Sequence, residues 1–379
     1  LAILLCFILA TGAIAVVSNE LDWLSNAAIR VSPTTSGTAV AWEKIYNNLS
    51  HEAKGQRIVS INAPIHQGFA AQAIVKDQHG ERSRLYFHPT TGVFQGSGQW
   101  FNWQTVIRRL HRHLMMPATL GITLVTLTSL LFLGSLISGL VLHPKWFAGL
   151  WRLPRRNNPR IFWGELHRLL GLWSTWLLLI VSLTGVWYLA ERWGLDASYP
   201  ENGSIKIEQQ HYRPKQQQFV QMLAAIPKRH HQLTLKKIRF AAKAHQPIIF
   251  EGQAATTLVR DRANNLAFDP RSGHWLSTRH GSELSLHLRI SEAADPLHFG
   301  TWGGYPSKII YFIFGLLLTT VAISGSYIYA LRVTKVSRQE KLLTATRLHS
   351  LWQKMGIGKW ISSSLILVAL VLTLLNLMV

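Results

Sequence analysis

Imidazole is the side chain that most readily ligates a transition metal near neutral pH. Seventeen histidines stand among the 379 residues of this chain, and the informative ones abut apolar stretches. His111 and His113 precede one such stretch and His298 precedes another, while His143 closes one, His167 opens one and His349 stands ahead of the last. Two imidazoles on facing helices at one depth would take both axial positions of a haem iron. At one membrane face that requires His298 with either His111 or His113. At the other, His167 would pair with His143 or with a first-helix histidine ahead of residue 1. Arg112 and Arg168 adjoin these candidates, where a guanidinium either pairs a propionate or serves as topological positive charge. The single cysteine, Cys6, excludes an internal disulfide framework, a Cys-based zinc site and covalent haem attachment through C-x-x-C-H. His51, His66, His79, His230, His231, His245 and His280 fall in polar stretches, where solvation is expected.

The elements that must position these residues are apolar helices. Residues 117–142, 169–190, 309–331 and 360–379 contain no acidic or basic side chain, and about 20 helical residues cross the hydrocarbon layer. A fifth run, 1–17, ends near Ala13-Ile14-Ala15, which resembles a signal-peptide cleavage site. Lys and Arg number 39 against 18 Asp and Glu, a balance that would suit nucleic acid were the charges not beside apolar blocks; lipid is the expected partner. The 143–168 link carries Lys145, Arg152, Arg155, Arg156, Arg160 and Arg168 against Glu165, and 332–359 carries seven basic residues against Glu340. Both links therefore face the cytoplasm, and the longer stretches 18–104 and 191–304 face outward as small folded domains. Counted as one helix, the 32 residues from His111 to His143 would rise about 48 Å, which puts the two histidine levels at opposite faces. Trp146, Trp151, Trp163, Trp193, Trp302 and Trp360 lie near the boundaries as an interfacial belt.

A long-period repeat runs through the chain. Leu9-Ala10-Thr11-Gly12 returns as Ser182-Leu183-Thr184-Gly185, and Phe87-His88-Pro89-Thr90-Thr91-Gly92 as Phe268-Asp269-Pro270-Arg271-Ser272-Gly273. Leu110-His111 returns as Leu297-His298, and Ile137-Ser138-Gly139 as Ile323-Ser324-Gly325. The unit is helix, outer domain, helix, present twice, with one added C-terminal helix. It makes residues 1–17 a membrane helix rather than a signal peptide, because a signal peptide has no reason to copy a mid-chain helix. The small-residue pairs suit close helix packing or clearance for a flat macrocycle. On a continuous third helix, His167, Gly171 and Gly185 share one face.

The expected architecture is a membrane α-helical bundle with two small α+β outer domains. Its segments are membrane helices at 1–19, 111–143, 165–190, 305–332 and 360–379; outer domains at 20–110 and 191–304; and cytoplasmic loops at 144–164 and 333–359. A metal transporter would need intramembrane acids or broken helices, and the apolar runs predict neither.

The Thr-Gly exits, Leu-His entries, Ser-Gly helices, Glu165-Leu166-His167-Arg168 and the paired F-x-P-x-x-G turns resemble the PepSY-associated transmembrane family across most of 1–332. Within it they are similar to the di-haem ferric-siderophore reductases of the bacterial inner membrane. The resemblance implies PepSY-like periplasmic domains, two non-covalent b haems and electron transfer across the membrane to a periplasmic acceptor such as a ferric siderophore. His111, His298, His167 and His143 would then be axial ligands, with His113, Arg112 and Arg168 at the cofactor. No G-x-G-x-x-G is present, so electrons would come from a quinol or a separate reductase. A second implication is a non-catalytic scaffold or regulator whose outer modules bind a periplasmic partner. The helix after Lys359 lies outside the repeat and would serve a partner subunit. Trp302-Gly303-Gly304 and Trp100-Phe101-Asn102-Trp103 are interface anchors or docking residues.

Overall fold

The computed structural model describes residues 2–32, 39–53, 55–156, 158–200, 202, 213–243, 246–333, 352–353 and 356–378. The chain divides into a helical unit (Leu1–Ser18, Trp103–Asp196 and Leu297–Val379) and a sheet unit (Asn19–Asn102 and Ala197–Pro296). The α-helices are α1 (Ala2–Val16), α2 (Ser18–Ser25), α3 (Trp42–Glu52), α4 (Trp103–His113), α5 (Ala118–Leu142) and α6 (Pro159–Trp173). They continue with α7 (Thr175–Ala190), α8 (Gln216–Arg229), α9 (Leu286–Phe299), α10 (Gly304–Val333) and α11 (Ile357–Met378). His349 lies outside the described residues.

In the helical unit, α1 packs on α10, α4 and α11, α5 packs on α7, and α6 packs on α10. Among the described residues, three helices are long and apolar enough to cross a membrane (Ala118–Leu142, Gly304–Tyr329 and Ile357–Leu377), or up to five if each of two bent pairs is one span. The added helix α11 lies within the fold. Ala369 is fully buried with Leu4, Ile8 and Leu114, so α11 covers α1 and the end of α4.

Two helices expected to be continuous are broken. The third span bends by 64° between Arg160–Trp173 and Thr175–Leu195, with Ser174 at φ −93° and ψ 3°. Thr175 Oγ1 donates to the Gly171 carbonyl at 3.0 Å, a local bond that competes with the helical ladder beside a weak helix former. His167 and Gly185 therefore do not share a straight face, and the expectation of unbroken helices fails here. The second break separates α4 from α5. Leu114 and Met115 take φ of 53° and 57°, and Pro117 caps α5, so the His111–His143 rise is not a helical one and does not measure depth. The chain folds back instead, and a Cβ on Gly121 would collide with the His113 main chain.

The sheet unit contains β1 (Arg57–Asn62), β2 (Ala71–Lys76), β3 (Arg82–Phe87), β4 (Phe94–Gln99), β5 (Thr234–Arg239), β6 (Ile248–Gln253), β7 (Asn264–Phe268) and β8 (Trp275–Arg279). All neighbours are antiparallel in the order β4-β3-β2-β1-β5-β6-β7-β8. The two stretches expected to fold as separate small domains thus share one sheet, joined where Ile61 faces Ile238. Either meander alone would leave β1 or β5 as an open edge, and their pairing closes both. Alternate residues of β2 are buried, as one-sided burial requires. Tyr46 of α3 stacks on Phe219 of α8 at 3.9 Å over a core that includes Ile61, Phe87, Phe250 and Phe268. The two F-x-P-x-x-G turns have one geometry. Gly92 at φ 75° donates to the His88 carbonyl, and Gly273 at φ 72° donates to that of Asp269.

A buried ion network ties α9 to the segment just ahead of β7. Glu292 is fully buried and meets Arg260 at 2.7 Å and Arg262 at 3.0 Å, while Arg260 also meets Asp295 at 3.0 Å. Burial pushes the Glu292 carboxyl up, but hydrogen bonding and charge from Arg260, with Arg262, outweigh it and hold the pKa below its ordinary value.

Candidate functional site

The four-residue spacing of a small-residue pair and its preceding carbonyl builds a seat for an imidazole. In α1, the Ile8 carbonyl accepts from His111 Nδ1 at 3.0 Å, Thr11 Oγ1 is 3.5 Å from the same nitrogen, and the ring lies over Gly12. A Cβ on Gly12 would stand 2.8 Å from His111 Cε1, so glycine is what admits the ring. The same construction recurs in α10. His167 Nδ1 is 3.0 Å from both the Val321 carbonyl and Ser324 Oγ, and a Cβ on Gly325 would stand 3.0 Å from His167 Cε1. Carbonyl oxygens only accept, so both rings carry their proton on Nδ1 and present the Nε2 lone pair.

His298 is held in a related way. Thr184 Oγ1 donates to the Ile180 carbonyl at 2.7 Å and so accepts from His298 Nδ1, also at 2.7 Å. Tyr188 stands edge-on to the His298 ring at 5.4 Å. Gly185 has another use, since its Cβ would stand 2.7 Å from Ser129 Cβ of α5. Gly139 meets nothing within 4 Å. The small-residue pairs thus divide between imidazole seats and helix packing.

These seats bring His111 and His298 together, with ring centres 6.2 Å apart and planes inclined by 37°. A metal–imidazole bond of about 2 Å plus about 1.1 Å to the ring centre places each centre about 3.1 Å from a bound metal, so trans ligands sit about 6.2 Å apart. The spacing fits an axial pair. His113 stands two positions along α4, with its Nδ1 buried and without a hydrogen-bond partner among the described residues. His167 has no second histidine beside it among the described residues, and His143 is an exposed residue at the end of α5. Along α10, Gly315 packs on Ala13, next to the His111 seat at Gly12, and Gly325 holds His167; these ten residues separate the two levels by about 15 Å.

Basic residues surround the site unevenly. Arg112 is exposed. Arg168 Nε is buried without a hydrogen-bond partner among the described residues. Arg108, which no sequence motif marks, places its guanidinium 5.5 Å over the Phe299 ring, one residue from His298 and three from His111. The link ahead of His167 is clamped by Arg155, whose backbone N and side chain both bind Glu165, at 2.7–2.9 Å. Ser307 Oγ bonds the Gly300 carbonyl at 2.7 Å and fixes the turn that follows His298. Trp100 lies under the Arg82 and Arg84 guanidiniums, while Trp103 and Trp302 are exposed.

Apolar helices, a broken span and an eight-stranded antiparallel sheet define a multi-pass membrane protein with a folded extramembrane part. The chain belongs to the PepSY-associated transmembrane family, since the family described as "PepSY-associated TM region" matches residues 1–332. No curated protein matched the chain.

Proposed function

We propose that the chain is a b-type haem protein of the bacterial inner membrane that passes electrons across the bilayer to a periplasmic acceptor, most fittingly ferric iron in a siderophore. The observation that carries this reading is the 6.2 Å spacing of the His111 and His298 rings, each held through Nδ1. A haem bound there would supply a reversible one-electron iron couple. The chain's own residues do the rest. Ile8 and Thr184 fix the tautomer that presents Nε2 of His111 and His298, Gly12 admits the first ring, and Arg108 lies where it can meet a propionate. His167, seated the same way about 15 Å further along α10, would hold a second haem through its Nε2, and Arg168 is the adjacent cation in sequence.

The matched turns, the Thr11–His111 and Thr184–His298 contacts at corresponding positions and the mirrored sheet order support one helix–domain–helix unit present twice, with the sheet unit in the periplasm. One electron delivered to a docked ferric chelate yields ferrous iron, and a quinol or a separate reductase replaces that electron.

Mixing dithionite-reduced, full-length protein with a panel of ferric siderophores, after excess reductant is removed, tests the acceptor. Return of the oxidised spectrum with formation of ferrous iron supports the assignment. A reduced spectrum that persists across the panel contradicts it.

A further inference from the structure

A second histidine pair lies wholly within the sheet unit, in polar stretches where solvated rings are expected. His230 follows the last turn of α8 and is 4% exposed. Its ring centre is 4.3 Å from that of His280, with the planes inclined by 41°. His230 Nε2 is buried and has no hydrogen-bond partner among the described residues. A native fold tolerates such a nitrogen where water or an ion satisfies it. His280 also borders a cavity of about 500 Å³ that Ser277, Arg279, Glu283 and Ser285 help to line, which gives an ion a way in.

We propose that His230 and His280 bind one divalent transition-metal ion, Cu²⁺ in preference to others, with the remaining coordination positions filled by water or by a ligand entering through the cavity. The spacing sets the geometry. With each ring centre about 3.1 Å from the metal, 4.3 Å between centres corresponds to an angle of roughly 90° at the ion. Tetrahedral ligands would stand about 5 Å apart, so the pair suits the cis positions of a tetragonal or octahedral ion better than zinc. Among divalent ions at nitrogen ligands, Cu²⁺ binds most tightly. No group of three His, Cys, Asp or Glu converges among the described residues, so the protein supplies two ligands and leaves the others exchangeable.

Cu²⁺ titrated into detergent-purified full-length protein, followed by equilibrium dialysis and electron paramagnetic resonance, tests this independently of any haem. The wild type should bind one Cu²⁺ at this site, with a tetragonal signal split by two imidazole nitrogens. H230Q and H280Q should each weaken that site tenfold or more, and H231Q should match the wild type. His280 is half-exposed, so H280Q is the variant to judge once its circular dichroism matches the wild type. Unchanged affinity in H280Q, or a signal with fewer than two nitrogens, would overturn the proposal.

Discussion

At the scale of single residues, packing sets His111 apart from His113. Two positions apart on a helix point to nearly opposite sides, and only the seat on Gly12 selects one of them. His111→Ala and His298→Ala should therefore each remove the low-spin bis-histidine spectrum of that site, whereas His113→Ala should keep it. An unchanged spectrum in His298→Ala would exclude the pair. The sequence made His111, His167 and His298 visible through their positions beside apolar runs. It did not single out Arg108, although a residue three positions before His111 lies on the same helix face. The burial of His230 was equally hidden, because a histidine pair next to a turn has the composition of solvated chain.

At the scale of elements, Thr-Gly and Ser-Gly pairs look alike in sequence and act differently in the fold. Gly12 and Gly325 each admit an imidazole, Gly185 admits Ser129, and Gly139 faces open space. Gly12→Ala should displace His111 and lower haem retention at the pair by about tenfold or more, measured as haem per chain after purification. Gly139→Ala should retain haem as the wild type does. Equal retention in Gly12→Ala would show that the seat is not required. The break at Ser174 was not legible, because Ser and Thr interrupt neither the apolar run nor its length; their hydroxyls act through local backbone bonds that composition does not reveal. Strand alternation and the F-x-P-x-x-G turns announced the two meanders. The β1–β5 pairing that fuses them is long-range and left no local signal.

At the scale of the whole molecule, membrane helices and sheet are stabilised by different physics, so they respond differently to acid. Glu292 has a native pKa below its unfolded value of 4.5 because Arg260 and Arg262 favour its charged form. Such a carboxylate contributes stability that is fully present above the unfolded pKa and is lost as pH falls through the native one. The thermal midpoint of the sheet unit, followed by tryptophan fluorescence, should thus decline below about pH 4.5 in the wild type. Glu292→Gln should flatten that decline and cost about 3 kcal/mol at neutral pH, since it leaves two arginines without their buried partner. A variant with wild-type acid sensitivity would assign the decline to other carboxylates.

The central claim is that His111 and His298 hold haem iron between them, and a visible spectrum of detergent-purified, full-length protein tests it most directly. Sharp Soret and alpha bands on dithionite reduction are the expected result, with the share of haem held by the pair lost in His298→Ala and any haem at His167 retained. A spectrum without haem bands from protein produced with ample haem, or a haem content per chain unchanged in both His111→Ala and His298→Ala, would contradict it.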